Sequence, residues 1–403
     1  MNKPLPNFRS KIAIVTVARS DFGIYLPVLR RLQKTAWADL QIVAGAAHLS
    51  QRHGHTVDWI ASEGFTVSAE VPITDNTNDA RGVARGSAEA TLGFADAFEK
   101  LQPDLIVLLG DRFEMHAAAV AAVPFAIPIT HLHGGETTQG AIDESYRHSL
   151  TKMSHLHFAS TAAYANRIIQ MGENPDNVVV SGAPGLDHLE TFQPMSVADL
   201  ETRLSLSLRV APLAVTFHPE TLSNRTAEQQ LQPLLEVLAS SPHPAVISQP
   251  NADPGNSAIL EALQAFASDH SERVRLVSNL GTQAYFSLLH HAAAMVGNSS
   301  SGIIEAASFE LPVVNIGDRQ KGRLHGENVI NCGYGQTDIE SALRLACSHA
   351  FQSKLNGMTN PYGNGTASKL IVDELESRLR SGLSVRKPFH DMPGYVKTIG
   401  KVA

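Results

Sequence analysis

Cysteine is nearly absent from this chain: its 403 residues include two, Cys332 and Cys347. No CxxC pair or ligand-like cluster surrounds either, which argues against a disulfide framework and against a zinc ribbon. No apolar run approaches the roughly 18 residues that a membrane-spanning helix needs. Pro4 and Pro6 interrupt the N-terminal segment, which lacks the apolar stretch of a secretion signal. A soluble, cytoplasmic chain is therefore expected. Positive charge is not in excess either. The net charge of −7 argues against a nucleic-acid or anionic-membrane surface and leaves room for one local cationic pocket of phosphate size. Repeats and low-complexity tracts are missing. The GxGxxG fingerprint is missing too: the loop after the first apolar run holds Gly23 alone, so NAD binding is not expected.

What is present suits two ordinary cores. Hydrophobic residues make up 43% and charged residues 18% of a chain long enough for two domains of about 200 residues each. Short apolar runs at 11–18, 40–47, 104–109, 127–131, 155–160 and 178–181 predict strands. Helical periodicity follows at 24–34, 113–123 and 162–172. The second half repeats the theme, with strands at 213–217, 245–249, 274–278, 294–297 and 313–316. Helices at 227–239, 257–267, 282–292 and 302–309 fall between them, and a last one covers 366–380. Such alternation implies parallel sheets covered by helices on both faces. The fold class expected is α/β, with two Rossmann-like doubly wound domains at 1–190 and 205–380. The polar segment 187–212 connects them, and a basic tail, 381–403, either packs back on the first domain or hangs free.

Ligands of open parallel sheets bind beyond the carboxyl ends of the strands. Those ends carry Arg19-Ser20-Asp21-Phe22-Gly23, Gly110-Asp111-Arg112-Phe113-Glu114, His131-Leu132-His133-Gly134-Gly135-Glu136, His218-Pro219-Glu220, Pro250-Asn251, Asn298-Ser299-Ser300-Ser301-Gly302 and Gly317-Asp318-Arg319. One edge of each sheet is thus crowded with charge, hydroxyls and glycine, which points to a site between the domains. The Asn298 turn opens a helix, whose free N–H groups favour an anion, with Ser299, Ser300 and Arg319 as further donors. A plain serine N-cap is the structural alternative. Glu305 suits either two ribose hydroxyls or simple complementation of the helix dipole.

Candidates for proton transfer are Asp111, Glu136, Asp143 and Glu144, with His131, His133 and His218 available. Asp143, Glu144, Arg147 and His148 alternatively form a solvated helix start. A carboxylate directly after a buried strand needs a partner, and Arg112 is the neighbour that offers one to Asp111. His131-x-His133 on a strand shares one face, so an oxygen/nitrogen metal site with Asp111 and Glu136 is conceivable. No third histidine has a firm relation to the pair, and acid/base work ranks above metal binding.

These motifs, together with Ala141-Ile142-Asp143-Glu144-Ser145-Tyr146-Arg147-His148 and Gly317-Asp318-Arg319-Gln320-Lys321-Gly322-Arg323, resemble the hydrolysing UDP-N-acetylglucosamine 2-epimerases. The similarity runs from about residue 11 to 380. It implies a GT-B architecture with a UDP-sugar between two Rossmann-like domains, no metal or redox cofactor, and a homodimer or homotetramer. It also implies a two-stage reaction: a base takes the C2 proton as UDP leaves C1, and water adds to the glycal to give the free sugar with C2 inverted. By position, Arg19, Gly23, Arg112, His218, Asn251, Tyr285, Ser299, Ser300, Glu305 and Arg319 match nucleotide-sugar contacts. Asp111, Asp143, Arg147 and His218 match positions implicated in catalysis. For Tyr285, a core aromatic at helical spacing is the alternative.

One position departs from that pattern. Members of the sialic acid pathway often carry a catalytic glutamate as the third residue of the HIEGGE-like motif, where this chain has His133. Either His133 or the final Glu136 moves the proton, or the substrate differs. The HxHGGE form is similar to the legionaminic branch, which uses UDP-N,N′-diacetylbacillosamine. Competing functions are a non-hydrolysing 2-epimerase, a GT-B glycosyltransferase and a catalytically silent nucleotide-sugar sensor.

Overall fold

A run such as Leu105–Leu109, buried at every residue, can be satisfied only by a strand with neighbours on both edges and helices over both faces. The computed structural model describes residues 8–51, 55–74, 79–250 and 256–392 and builds two sheets of this kind. The first half runs β1 (Ser10–Thr16), α1 (Arg19–Gln33), β2 (Ala38–Gly45), α2 (Val57–Ser62), β3 (Val67–Val71), α3 (Ala80–Leu101), β4 (Leu105–Leu109), α4 (Phe113–Ala122), β5 (Ile129–Leu132), α5 (Asp143–Met153), β6 (Leu156–Ala159), α6 (Ala162–Gln170) and β7 (Val178–Val180). The second runs α7 (Val197–Leu204), β8 (Leu213–Thr216), α8 (Ala227–Ser240), β9 (Ala245–Ser248), α9 (Asn256–Asp269), β10 (Val274–Val277), α10 (Gly281–His291), β11 (Ala294–Gly297), α11 (Ser300–Ile304), β12 (Val313–Ile316), β13 (Val329–Cys332), α12 (Gln336–Ala346), α13 (His349–Lys354) and α14 (Ala367–Ser381).

Strand order is β3-β2-β1-β4-β5-β6-β7 in one sheet and β10-β9-β8-β11-β12-β13 in the other. Every pairing among the described residues is parallel. Each order reverses once, between β1 and β4 and between β8 and β11. These are the switch points at which doubly wound sheets open a crevice. Among the described residues no helix is long and apolar enough to cross a membrane.

Several elements lie outside the strand and helix expectations, among them α2, α3, β3, β13, α12 and α13, and for three of these the physical reason is plain. The longest helix, α3, buries Gly82, Val83, Gly86 and Ala90 before it reaches Phe94 and Phe98. Its apolar stripe is made of small residues that let it lie close on the alanine-rich α4. The edge strands β3 and β13 are only partly buried, so their patterns are diluted by polar residues.

The helix expected at 302–309 is split. α11 ends at Ile304, Glu305 caps it, and a 3-10 turn, Ala306–Phe309, follows. The helix expected at 366–380, α14, returns to the first half, where Ala367, Ile371, Val372 and Leu375 join the core around β1 and α1. Asp187 fixes its start, accepting the N–H of Ala367 at 2.9 Å and of Ser368 at 2.6 Å. We propose a domain division that follows the two sheets, with α14 counted in the first.

The segment after α14 also lies on the first half, as far as it is described. Lys387 donates to the carbonyls of Thr151 (3.2 Å), Lys152 (2.6 Å) and Ser154 (2.5 Å), the unpaired end of α5. It also meets buried Glu173 at 2.7 Å, beside Lys152 at 2.6 Å and His157 at 3.1 Å. Burial alone would push the Glu173 carboxyl up. The bonds from His157, Lys152 and Lys387 outweigh burial and hold it at about 2.

A carboxyl depressed below its unfolded value of about 4.3 contributes stability above that pH and loses it as pH falls. Glu173→Gln is expected to cost about 3 kcal/mol at pH 7, since it removes the buried carboxylate that Lys152, Lys387 and His157 hold ionised. Urea unfolding at stepped pH checks this: the gap between variant and wild type closes as pH falls from about 4 towards 2.

Candidate active site

The two switch points face each other, and two cavities meet between them. The first is walled by Arg19, Gly23, Thr216, His218, Tyr285, Ser299 and Glu305. The second is walled by Asp111, Arg112, His133, Glu136, Asp143, Arg147 and Arg323. Ser20, Ile24, Ser300 and Arg319 belong to both, so one continuous cleft joins the candidate phosphate turn to the acid/base set. Asn251 lies outside the described residues.

On the side of the second sheet, Asn298 ties the strand ends together. Its side chain accepts the N–H of His218 at 2.7 Å and donates to the His218 carbonyl at 2.8 Å. Its own carbonyl accepts from Gln320 at 2.8 Å and from Arg319 at 3.3 Å. Glycine is required just before it: Gly297 has φ +133°, and a Cβ there would collide with the Thr216 carbonyl. Buried Glu220 accepts the N–H groups of Asp318 at 2.5 Å and Arg319 at 2.7 Å, which sets the loop that aims Arg319. α11 has five residues, too few for a macrodipole of consequence. Anion affinity here rests on local N–H groups, the Ser299 and Ser300 hydroxyls and Arg319.

Tyr285 walls the first cavity, with its hydroxyl 2.5 Å from Ser301 Oγ. Burial pushes the Glu305 carboxyl up. Arg19, opening α1, crosses the cleft to the Ser278 carbonyl. Gly23 lends its carbonyl to His188 at 2.8 Å.

On the side of the first sheet the centre is Arg147, whose side chain is 2% exposed. Its guanidinium pairs with Asp111, donates to the His133 carbonyl at 2.8 Å and to Thr138 Oγ1 at 3.1 Å. The expected partner of Asp111 is thus corrected. Arg112 turns to Glu114 at 2.9 Å, held by two bonds on one helix start, while Arg147 reaches Asp111 from α5. Burial would raise the Asp111 carboxyl, but the Arg147 and Arg323 charges outweigh it and hold it low. Arg147 is therefore no surface group. Glu144 caps the loop by accepting the Thr138 N–H, and His148 binds Glu144 at 3.1 Å. Asp143 opens α5 on the cavity wall.

His131 and His133 do not share a face, because β5 ends at Leu132. His131 points into the core, bonded to the Gly110 carbonyl at 2.8 Å, and burial lowers its pKa to about 3, a neutral imidazole. His133 takes φ +61°, a left-handed conformation uncommon outside glycine, and turns its ring into the cleft. No three side chains of metal-ligating type converge among the described residues.

His133 Nδ1 lies 2.6 Å from Glu136 Oε1, which also accepts from Ser160 at 2.7 Å. Burial would raise Glu136. The His133 ring bonded to it and the Arg323 guanidinium overrule that and hold it well below the usual carboxylate range. An ionised carboxylate only accepts, so Nδ1 carries the proton of the neutral ring. The lone pair then sits on Nε2, which has no hydrogen-bond partner among the described residues.

Several wall residues carry no signal in the sequence. Trp59 and His188 come from α2 and from the connection, and Thr138 from the loop before α5. Glu220 and Arg323 stand inside strand-end motifs, where only their neighbours look chemical.

A family model described as UDP-N-acetylglucosamine 2-epimerase matches residues 30–376. A GDP/UDP-N,N′-diacetylbacillosamine 2-epimerase (hydrolyzing) of Campylobacter jejuni is 38% identical over 82% of this chain and 86% of its own. A UDP-N,N′-diacetylbacillosamine 2-epimerase (hydrolyzing) of Legionella pneumophila is 35% identical over 91% of this chain and 96% of its own. Among solved structures, the UDP-GlcNAc 2-epimerase of Neisseria meningitidis bound to UDP-GlcNAc superposes with a TM-score of 0.77. It is 20% identical, with 91% of this chain and all of that chain covered, and so shares the two-domain α/β fold.

Glu220→Ala leaves two buried N–H groups without an acceptor, and is expected to cost about 2 kcal/mol. The measurement is a urea titration, in which the midpoint falls while the slope stays at the wild-type value.

Proposed function

This chain belongs to the UDP-N-acetylglucosamine 2-epimerase family, and from that premise we propose that it is a hydrolysing 2-epimerase of a UDP-linked 2-acetamido sugar. It would release UDP and the free sugar inverted at C2. The observation that carries this reading is the continuous cleft: anion donors at one end, a hydrogen-bonded imidazole with an unpartnered nitrogen at the other, and Ser300 and Arg319 on the wall between.

The C2 proton is weakly acidic, so its removal has to be coupled to departure of UDP. In the reading proposed, His133 Nε2 accepts that proton while the C1–O bond to UDP breaks. Glu136 orients the ring and stabilises the imidazolium, a carboxylate–imidazole arrangement that serves the same end in hydrolytic triads. Ser299, Ser300 and Arg319 stabilise the charge that gathers on the leaving diphosphate. Tyr285 flanks the base and Glu305 the ribose. Water then adds across the C1–C2 double bond of the glycal, its oxygen to C1 and a proton to the opposite face of C2. Asp111 and Asp143, on the wall of the same cavity, are the groups available to take the proton from that water and pass it to C2. Arg147 keeps Asp111 ionised and placed. His218, locked by Asn298, borders the diphosphate.

Of two candidate substrates, UDP-N,N′-diacetylbacillosamine is supported by the names of the 38% and 35% identical relatives. UDP-N-acetylglucosamine is the other. Incubation with each in D2O, followed by NMR, is expected to show free sugar with deuterium at C2 and released UDP, faster with the 4-acetamido sugar. Intact nucleotide sugar in both tubes, in the presence of bound UDP, would instead favour a sensor. Retention of UDP on an epimerised product would make the enzyme non-hydrolysing.

Two variants separate binding from chemistry. His133→Ala is expected to lower kcat by about 100-fold or more, the usual effect of losing a general base. Asp111→Asn is expected to abolish turnover. In both, UDP affinity, followed by the fluorescence of Trp59 on the cavity wall, stays within a few-fold of wild type. Parallel loss of binding and turnover in either would refute this division of labour.

A further inference from the structure

Arg323 takes no part in either proton transfer, yet it crosses the cleft. It comes after β12 in the second half and inserts among residues of the first. Its Nε donates to the Thr137 carbonyl at 2.7 Å, Nη2 reaches Thr138 Oγ1 at 3.4 Å, and Nη1 stands 3.3 Å from Glu136 Oε2. The side chain is 6% exposed, and Glu136 is 1% exposed, so little solvent screens the pair. Glu136 thus has three partners: the imidazole of His133 and the Ser160 hydroxyl on Oε1, and the guanidinium of Arg323 on Oε2.

That sharing has a chemical consequence. A lone buried carboxylate against Nδ1 would draw a second proton onto the ring, and an imidazolium cannot accept one from C2. A cation on the far side of the same carboxylate opposes this. We infer that Arg323 is a positioning residue for the His133–Glu136 pair, neutralising Glu136 from across the cleft so that His133 keeps Nε2 open as a proton acceptor. The inference rests on the reading of His133 as the base. Since Arg323 is carried by the second sheet, separating the halves would withdraw its charge, and the base is armed only in the closed cleft.

The other groups around the ring are accounted for. Arg147, from α5, meets the backbone carbonyl of His133. Asp111, after β4, is paired with Arg147. Glu305, at the end of α11, acts on His133 through space with its charge reduced by burial. Arg319 borders the same cavity, and Ser160, after β6, is neutral. Arg323 is the cation in contact with Glu136 from the other half of the chain.

The test reads His133 directly, in the full chain without substrate. With histidines labelled by 15N, His133 is identified by its absence in His133→Asn, and its ring is titrated. Arg323→Gln is expected to move the midpoint up by about one pH unit, as loss of a unit charge a few ångströms away requires. Arg323→Lys, which keeps the charge, is expected to stay near wild type. With substrate, the acid limb of kcat moves up in step in the glutamine variant, so that much of its loss at neutral pH is recovered in alkali. A midpoint that does not move, or moves down, overturns the inference, as does an equal loss of kcat at every pH. Should the glutamine variant fail to fold, Arg323→Met keeps the packing of the stem and repeats the titration. Failure of the wild type to turn over either sugar would sink the functional reading and leave the titration to judge Arg323 by itself.

Discussion

A guanidinium with almost no access to water needs partners inside the protein, and the need to pair Arg147 organises the first half of the cleft. Its three partners come from three places: Asp111 after β4, the His133 carbonyl after β5, and Thr138 in the loop before α5. Satisfying one cation therefore brings two strand ends and a helix to a single point. Asp111 is kept ionised and His133 is held in a backbone conformation that it would not choose. The cavity wall is the shape these bonds leave behind.

The second sheet reaches the same precision by a neutral route. Asn298 binds the backbone of His218 from both sides, and its carbonyl gathers Arg319 and Gln320. Glu220 holds the loop below. One half thus presents a charged, proton-moving surface and the other a lattice of hydrogen-bond donors. This polarity suits a reaction in which a proton leaves one end of a molecule as negative charge gathers at the other. Arg323 and Arg19 are among the side chains that reach from one half to the other, so the site is complete only where the halves meet.

Much of this is legible in the sequence. The strands with strong apolar runs, the strand-end motifs and the two-sheet architecture come from periodicity alone, because buried parallel strands have no other way to pair. Losses come where that signal fades. α3 buries glycine and alanine, which carry little hydrophobic contrast, and β3 and β13 are edges with one side wet. Among site residues, Asp111 is visible as a carboxylate after a buried strand. Its partner is not, since Arg112 is adjacent in sequence while Arg147 is adjacent in space.

The sequence by itself determined the inventory: which residues stand at the carboxyl ends of the strands, and that they are of proton-moving and anion-binding types. Local order decides this, for strand and helix periods repeat over a few residues. Only the tertiary structure decided where each stands and what it touches. It separated His131 from His133 by ending β5 at Leu132, turning one ring to the core and the other to the cleft. It set Glu136 against Nδ1 of His133, and brought Arg323 to it from 187 positions away along the chain. The state of a titratable group depends on the charges within a few ångströms of it, and those arrive from parts of the chain that no local pattern connects.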